Sequence, residues 1–286
     1  MIKQQSLAFA REVYRIWVEE RPAQLAAALA YYGMFSFVPL IFIAITMAGL
    51  FLEGSALTDR VFTRLEIIFG PEAIEFMRQM FNQIGQTHVS GSWLATLISF
   101  LAILYIASGL FFQLNYALNK IWNAPQPEKA GLIVFLKKRA LLFVMVIGVG
   151  LLIVLVTLVN LVISWLSSHL RFAGYVPLVS LGVQIGLFVA SFAMIYKLLP
   201  DVQIAWRDVW IGAVITTLLV LLGGVVIGIY FRISNVGSAF QTAGAFAVIL
   251  IGFYYLAQIF LLGAILTRVY SSMYGSKRSD SISPGT

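Results

Sequence analysis

The stretch from Ala27 to Leu40, AALAYYGMFSFVPL, sets two tyrosines, a serine and a proline in a run with no charged residue. Rings and hydroxyls of this kind can hold an amphiphile, the ring against its apolar body and the hydroxyl against its polar head. Further along, Tyr105, Ser108, Asn115 and Asn119 recur at i, i+3, i+10 and i+14 with Phe112 between them, a spacing that shares one helix face. Tyr32 and Ser36 stand four apart with Tyr31 beside them, and Tyr255 and Gln258 stand three apart beside Tyr254. Three segments therefore carry polar stripes. The candidate binding residues are Tyr31, Tyr32, Ser36, Ser108, Asn115, Tyr255 and Gln258. They read either as walls of a polar cleft or as hydrogen-bonding glue between helices, where each contact contributes only about 0.6 kcal/mol. Pro39 frees one backbone carbonyl in the same run.

Catalysis lacks its parts. The two histidines, His88 and His169, fall in separate loops, and no H-x-x-x-H, paired-carboxylate or glycine-rich phosphate motif accompanies them. With no cysteine, thiolate nucleophiles, zinc-thiolate sites and structural disulfides are excluded together. The expectation is a protein that is not an enzyme, with no catalytic residue, no metal site and no cofactor.

The elements that must position the polar stripes follow from composition. Hydrophobic residues make up 60% of the 286 residues and charged ones only 11%, too little charge to cover a soluble globule of this length. Six runs lack Asp, Glu, Lys, Arg and His: 23–52, 89–119, 140–168, 172–196, 209–231 and 233–267. Each exceeds the roughly 20 residues that cross a bilayer as a helix. They have no period-2 alternation, so the predicted class is all-α: six transmembrane helices in one membrane domain over residues 1–275. With no ionisable group inside any run, proton coupling through a buried carboxylate is disfavoured. The first run begins too late and runs too long for a cleavable signal core, so it is expected to stay in the mature protein.

Fourteen of the nineteen Lys and Arg residues fall in alternate segments: before the first run, between the second and third, between the fourth and fifth, and after the sixth. The positive-inside rule then places both termini in the cytoplasm. Attraction to anionic lipid headgroups accounts for the rest of the basic excess, and no nucleic-acid partner is required. Span one then enters from the cytoplasm while spans two and six arrive there, so the stripes share the cytoplasmic half of the bilayer and a cytoplasm-facing cleft is the expectation.

Residues 3–21 read as an amphipathic interfacial helix with Leu7, Ala10, Tyr14 and Trp17 on its apolar face. Residues 53–88 read as two short helices broken at Gly70-Pro71, on the outer face and either resting on the bilayer or capping the bundle. Two Gly-xxx-Gly patterns, Gly182–Gly186 and Gly224–Gly228, allow close helix packing, within the chain before between chains. The polar tail 276–286 reads as disordered.

Four stretches, ALAYYGMFSFVPL, ALNKIW (117–122), LLPDVQIAWRDVWIGA (198–213) and GSAFQTAGAFAVILIGFYYLAQIFLLGA (237–264), together resemble the YihY/virulence factor BrkB family of bacterial inner-membrane proteins, over about residues 7–270. The resemblance implies a cytoplasmic-membrane protein, with lipid or lipopolysaccharide export suggested for relatives and a ribonuclease BN label carried by many of them. The family commonly has a glutamate after the Gly-Ala late in span six, whereas Gly263-Ala264 here is followed by Ile265, which leaves Arg268 to face lipid headgroups. Three functions are thus expected in order: a transporter or flippase-like protein for a lipid or amphiphilic solute, a membrane scaffold binding a partner through the outer loop, and a ribonuclease. Membrane lipids are the expected partners.

Overall fold

Arg21 adopts a left-handed backbone (φ 47°), and Pro22 follows it as the first residue of a new helix. Proline suits that position because its missing N–H has no partner in a first turn anyway. This one-residue break separates α1 (Ile2–Glu20) from α2 (Pro22–Gly49). The chain continues through α3 (Pro71–Thr87), α4 (Trp93–Ile121), α5 (Val176–Leu198), α6 (Trp206–Ile233) and α7 (Thr242–Met273). The computed structural model describes residues 2–49, 71–87, 93–125, 176–233 and 242–276, with single positions between 58 and 66 and between 140 and 159.

The fold is all-α. Among the described residues, five helices are long and apolar enough to cross a bilayer: α2, α4, α5, α6 and α7. They correspond to five of the six expected spans. The third, 140–168, lies almost wholly outside the described residues; its described positions 140, 144, 148, 151, 155 and 159 are helical. Four helices overrun the charge-free stretches: α4 takes in Lys120, α5 takes in Lys197, α6 starts before Arg207 and Asp208 and passes Arg232, and α7 passes Arg268 to end at Met273. Lys197 donates to the Ile204 carbonyl, Asp208 accepts from Ser271 and Ser276, and Arg268 donates to the Ile121 carbonyl.

Ends are chemically marked. Asn123 takes the left-handed conformation (φ 51°) that asparagine tolerates. The Ala124 amide donates to the Asn119 carbonyl at 2.9 Å and the Asn123 amide to the Lys120 carbonyl at 3.1 Å, the paired bonds that close a helix C-terminus.

In the bundle, α2 packs on α4 and α7, α7 on α6, and α6 on α5, while α1 lies across α7 and touches α4. The main core joins Ile16 of α1, Leu29 of α2, Leu118 of α4, Tyr196 of α5, Val209 of α6 and Leu261 of α7. A second core forms at the other end, where Ile74 and Met77 of α3 and the nearby Phe62 meet Met34 and Val38 of α2 and Val248 and Ile249 of α7. α3 therefore caps this end of the bundle with its apolar side, which holds Ile74, Met77, Phe81 and Ile84.

The fold sharpens two readings. The buried face of α1 is Phe9, Val13 and Ile16 with Trp17 at its edge, while Leu7 (74% exposed), Ala10 and Tyr14 point away from the protein. Both sides of this helix carry apolar residues, and the side the bundle buries is the one with Ile16. Gly182 and Gly186 of α5 have no described atom within contact distance, so among the described residues they do not pack within the chain. The close helix approaches lie elsewhere, at Gly212, Gly223 and Gly263.

Candidate functional site

α2 and α4 run antiparallel, and the Ser36 hydroxyl crosses between them to donate to the Ile106 carbonyl at 2.8 Å. Gly109 makes room for this approach. A methyl group there would stand 3.2 Å from the Ser36 oxygen and 3.4 Å from the Tyr32 ring. Tyr105, Phe112 and Tyr116 follow Gly109 at the i−4, i+3 and i+7 positions of α4, so the four share one face, and all three rings are exposed. On α2, Tyr31 stacks edge-on against Tyr32 (5.7 Å) and Phe35 (5.0 Å), and these rings are exposed as well, Tyr31 at 57% and Tyr32 at 39%. The pair of helices thus presents rings on its outer surface. Ser36 and Ser108 lie buried behind them, Ser108 donating back to the Tyr105 carbonyl at 2.7 Å.

The stripe predicted along α4 is divided by the fold. Tyr105 and Phe112 face outward, while Ser108 and Asn119 are buried and Asn115 is half-buried. Asn115 donates to the Leu199 carbonyl beyond the end of α5. Asn119 donates to the Asp201 carboxylate at 2.7 Å and accepts from the Asp201 amide at 2.7 Å. These asparagines therefore tie α4 to the loop between α5 and α6.

Tyr255 and Gln258 lie apart from the α2 and α4 set. Tyr255 rests against Gly223 of α6, where a methyl group would come within 3.1 Å of its ring. Gln258 is half-buried one turn away. Among the described residues no hydrogen bond links either residue to Tyr32, Ser36 or Ser108.

Sequence reasoning missed the pairings in a second set of polar contacts. The Tyr196 hydroxyl, fully buried, donates to the Phe260 carbonyl at 2.8 Å and lies 2.9 Å from the Thr216 hydroxyl. Asp208, buried in the first turn of α6, accepts from the Ser271 hydroxyl at 2.7 Å, the Ser276 hydroxyl at 2.8 Å and the Ser276 amide at 3.0 Å. An acid near a helix start is favoured by the helix dipole, and that position was the available signal. Arg268 is also corrected. It reaches Glu20 of α1 at 3.6 Å and donates to the Ile121 carbonyl, so its partner acid comes from the interfacial helix and not from lipid. On α1 itself, the Glu12 carboxyl is held below its ordinary range, first by hydrogen bonding to Arg15, against a smaller upward effect of burial.

Among the described residues no three His, Cys, Asp or Glu side chains gather closely enough to hold a metal ion. The arrangement of apolar spans, aromatic faces and helix-end ties defines a multi-pass α-helical membrane protein. Residues 13–284 match the virulence factor BrkB family, and the chain belongs to it. Its curated relatives include UPF0761 membrane proteins of Pseudomonas aeruginosa strain LESB58 (26% identical, covering 92% of this chain and 63% of the relative), Saccharophagus degradans (26%, 91% and 59%) and Verminephrobacter eiseniae (25%, 87% and 58%). The chain spans about three-fifths of the length of these relatives. No solved structure matches it.

Proposed function

We propose that the chain is a transporter or flippase-like protein of the bacterial inner membrane, with both termini cytoplasmic, that engages a lipid or amphiphilic solute at the α2 and α4 face. One observation carries this reading: tyrosines with exposed rings stand well inside membrane-spanning helices. Tyr32 lies ten residues into α2, about 15 Å of helical rise, near the middle of a hydrocarbon layer about 30 Å thick. A hydroxyl without a partner there costs about 1–3 kcal/mol, and a ligand with a polar head supplies the partner.

Tyr31 and Tyr32 would meet the head group, with Tyr105, Phe112 and Tyr116 along its apolar body. The ties from Asn115, Asn119 and Arg268 would hold that end of the bundle together, and the substrate would then enter from the bilayer plane. Tyr255 and Gln258 then belong to a second stage of the path, between α6 and α7. The scaffold reading has less support, since α3 turns its apolar side onto α2 and α7.

The test is reconstitution into liposomes with fluorescent phosphatidylethanolamine and a membrane-impermeant quencher. The intact chain is expected to move the lipid between leaflets faster than protein-free vesicles, and the double variant Tyr31→Phe, Tyr32→Phe to lose most of that rate. A parent rate equal to the protein-free background, or a variant as fast as the parent, overturns the proposal.

A further inference from the structure

Away from the α2 and α4 face, a surface pocket of about 490 Å³ opens between α1 and the last turn of α7, lined by Leu7, Ala8, Arg11, Glu12, Ser272 and Met273. Its depth is defined by α7. Ser272 and Met273 are the last residues of that helix's apolar span, so the pocket lies where hydrocarbon gives way to headgroups. Its charge is defined by α1. Among the described residues Arg11 has no carboxylate partner, whereas Glu12 is already engaged by Arg15, which donates to it at 3.0 Å. Arg11 is thus the unneutralised charge of the pocket.

Ser272 spends its proton on the Val269 carbonyl at 3.0 Å, which leaves its oxygen lone pairs for a donor. Leu7 and Met273 supply an apolar rim. Leu7, Arg11, Tyr14 and Val18 follow at i, i+4, i+7 and i+11, one side of α1, opposite the Ile16 side that the bundle buries. That side offers apolar groups and a cation together, the composition of a helix surface that lies against an anionic leaflet.

We infer that this pocket is a binding site for an anionic phospholipid with a hydroxyl-bearing headgroup, the phosphate on Arg11, a headgroup hydroxyl on Ser272, and the acyl chains along Leu7 and Met273. The site is separate from the proposed transport face, and binding here does not depend on that reading.

The experiment is native mass spectrometry of the detergent-solubilised full chain, titrated with phosphatidylglycerol or phosphatidylcholine. Phosphatidylglycerol is expected to remain as a single discrete adduct, and Arg11→Gln to weaken its retention about fivefold or more, the scale of one basic residue lost at an anionic surface. Ala8→Trp fills the pocket from an exposed position without changing charge, and is expected to remove the adduct. Arg207→Gln, an exposed charge outside the pocket at the same end of the bundle, is expected to leave it intact. Equal loss in Arg11→Gln and Arg207→Gln would mean diffuse attraction and overturn the site. Equal retention of the two lipids, an unaffected Ala8→Trp variant, or displacement by inorganic phosphate would overturn it too.

Discussion

Glycine decides where the helices touch most closely. A methyl group on Gly263 would stand 1.9 Å from the Thr216 hydroxyl oxygen and 2.7 Å from that of Tyr196, and one on Gly212 would stand 1.8 Å from the Thr267 hydroxyl oxygen. Neither position can accept a side chain without moving α6 against α7. Gly263→Ala is expected to destabilise the protein by about 1–3 kcal/mol, the range of overpacked cores, while Gly182→Ala, which meets no atom of the described residues, is expected to be neutral or slightly stabilising through better helix propensity. Thermal unfolding in detergent separates the two; equal midpoints would show that α6 and α7 do not meet as described. None of this was visible in the Gly-xxx-Gly spacings. The contact glycines pair with threonine, tyrosine or isoleucine on another helix, and a partner distant in sequence leaves no local pattern. The polar residues of the candidate site were legible as types, but the partners of Asn115 and Asn119 were not, because they sit in a loop about eighty residues away.

At the scale of elements, α1 was legible as an amphipathic interfacial helix, but which of its sides the bundle would bury was not. Its two apolar sides compete, and the bundle takes Phe9, Val13 and Ile16 because they fit between the ends of α4 and α7. Ile16→Ala is therefore expected to cost about 2–4 kcal/mol, and Leu7→Gln little, by comparison of unfolding midpoints. A larger effect at Leu7 would reverse the assignment of faces. The Glu12 and Arg15 pair adds a small pH dependence to this helix. Because the Glu12 carboxyl titrates lower when folded than its ordinary value of 4.5, its contribution is complete above that value and lost as pH falls through the lower, folded one. Amide exchange in α1 is expected to quicken across that acid window, and Glu12→Gln to flatten the change. The spans themselves were predictable to within a few residues wherever charge ended the apolar run. They were too short where Lys197, Asp208 and Arg268 are absorbed into helices by partners that only the fold supplies.

For the whole molecule, α1, the end of α4, the loop from Leu199 to Ala205 and the end of α7 gather at one end of the bundle, and α3 lies at the other. With the basic residues concentrated at the first end, that end is expected in the cytoplasm. The chain contains no cysteine, so single reporters can be introduced against a silent background. Arg207→Cys and Asn82→Cys, both exposed, are expected to react with an impermeant maleimide from opposite sides of intact cells' inner membrane. Labelling of both from one side would overturn the topology. The two ends also differ mechanically. Crosslinks of unlike kind, amide to carboxylate at Asn119 and Asp201, hydroxyl to carboxylate at Ser271 and Asp208, guanidinium to carboxylate at Arg268 and Glu20, pin the first end. The cap rests on the side chains of Ile74 and Met77, whose contacts have no fixed direction and can slide. The bundle is thus built like a clothes peg, with its spring among the charges and its jaws under α3, and a rocking motion would part the helices away from the termini.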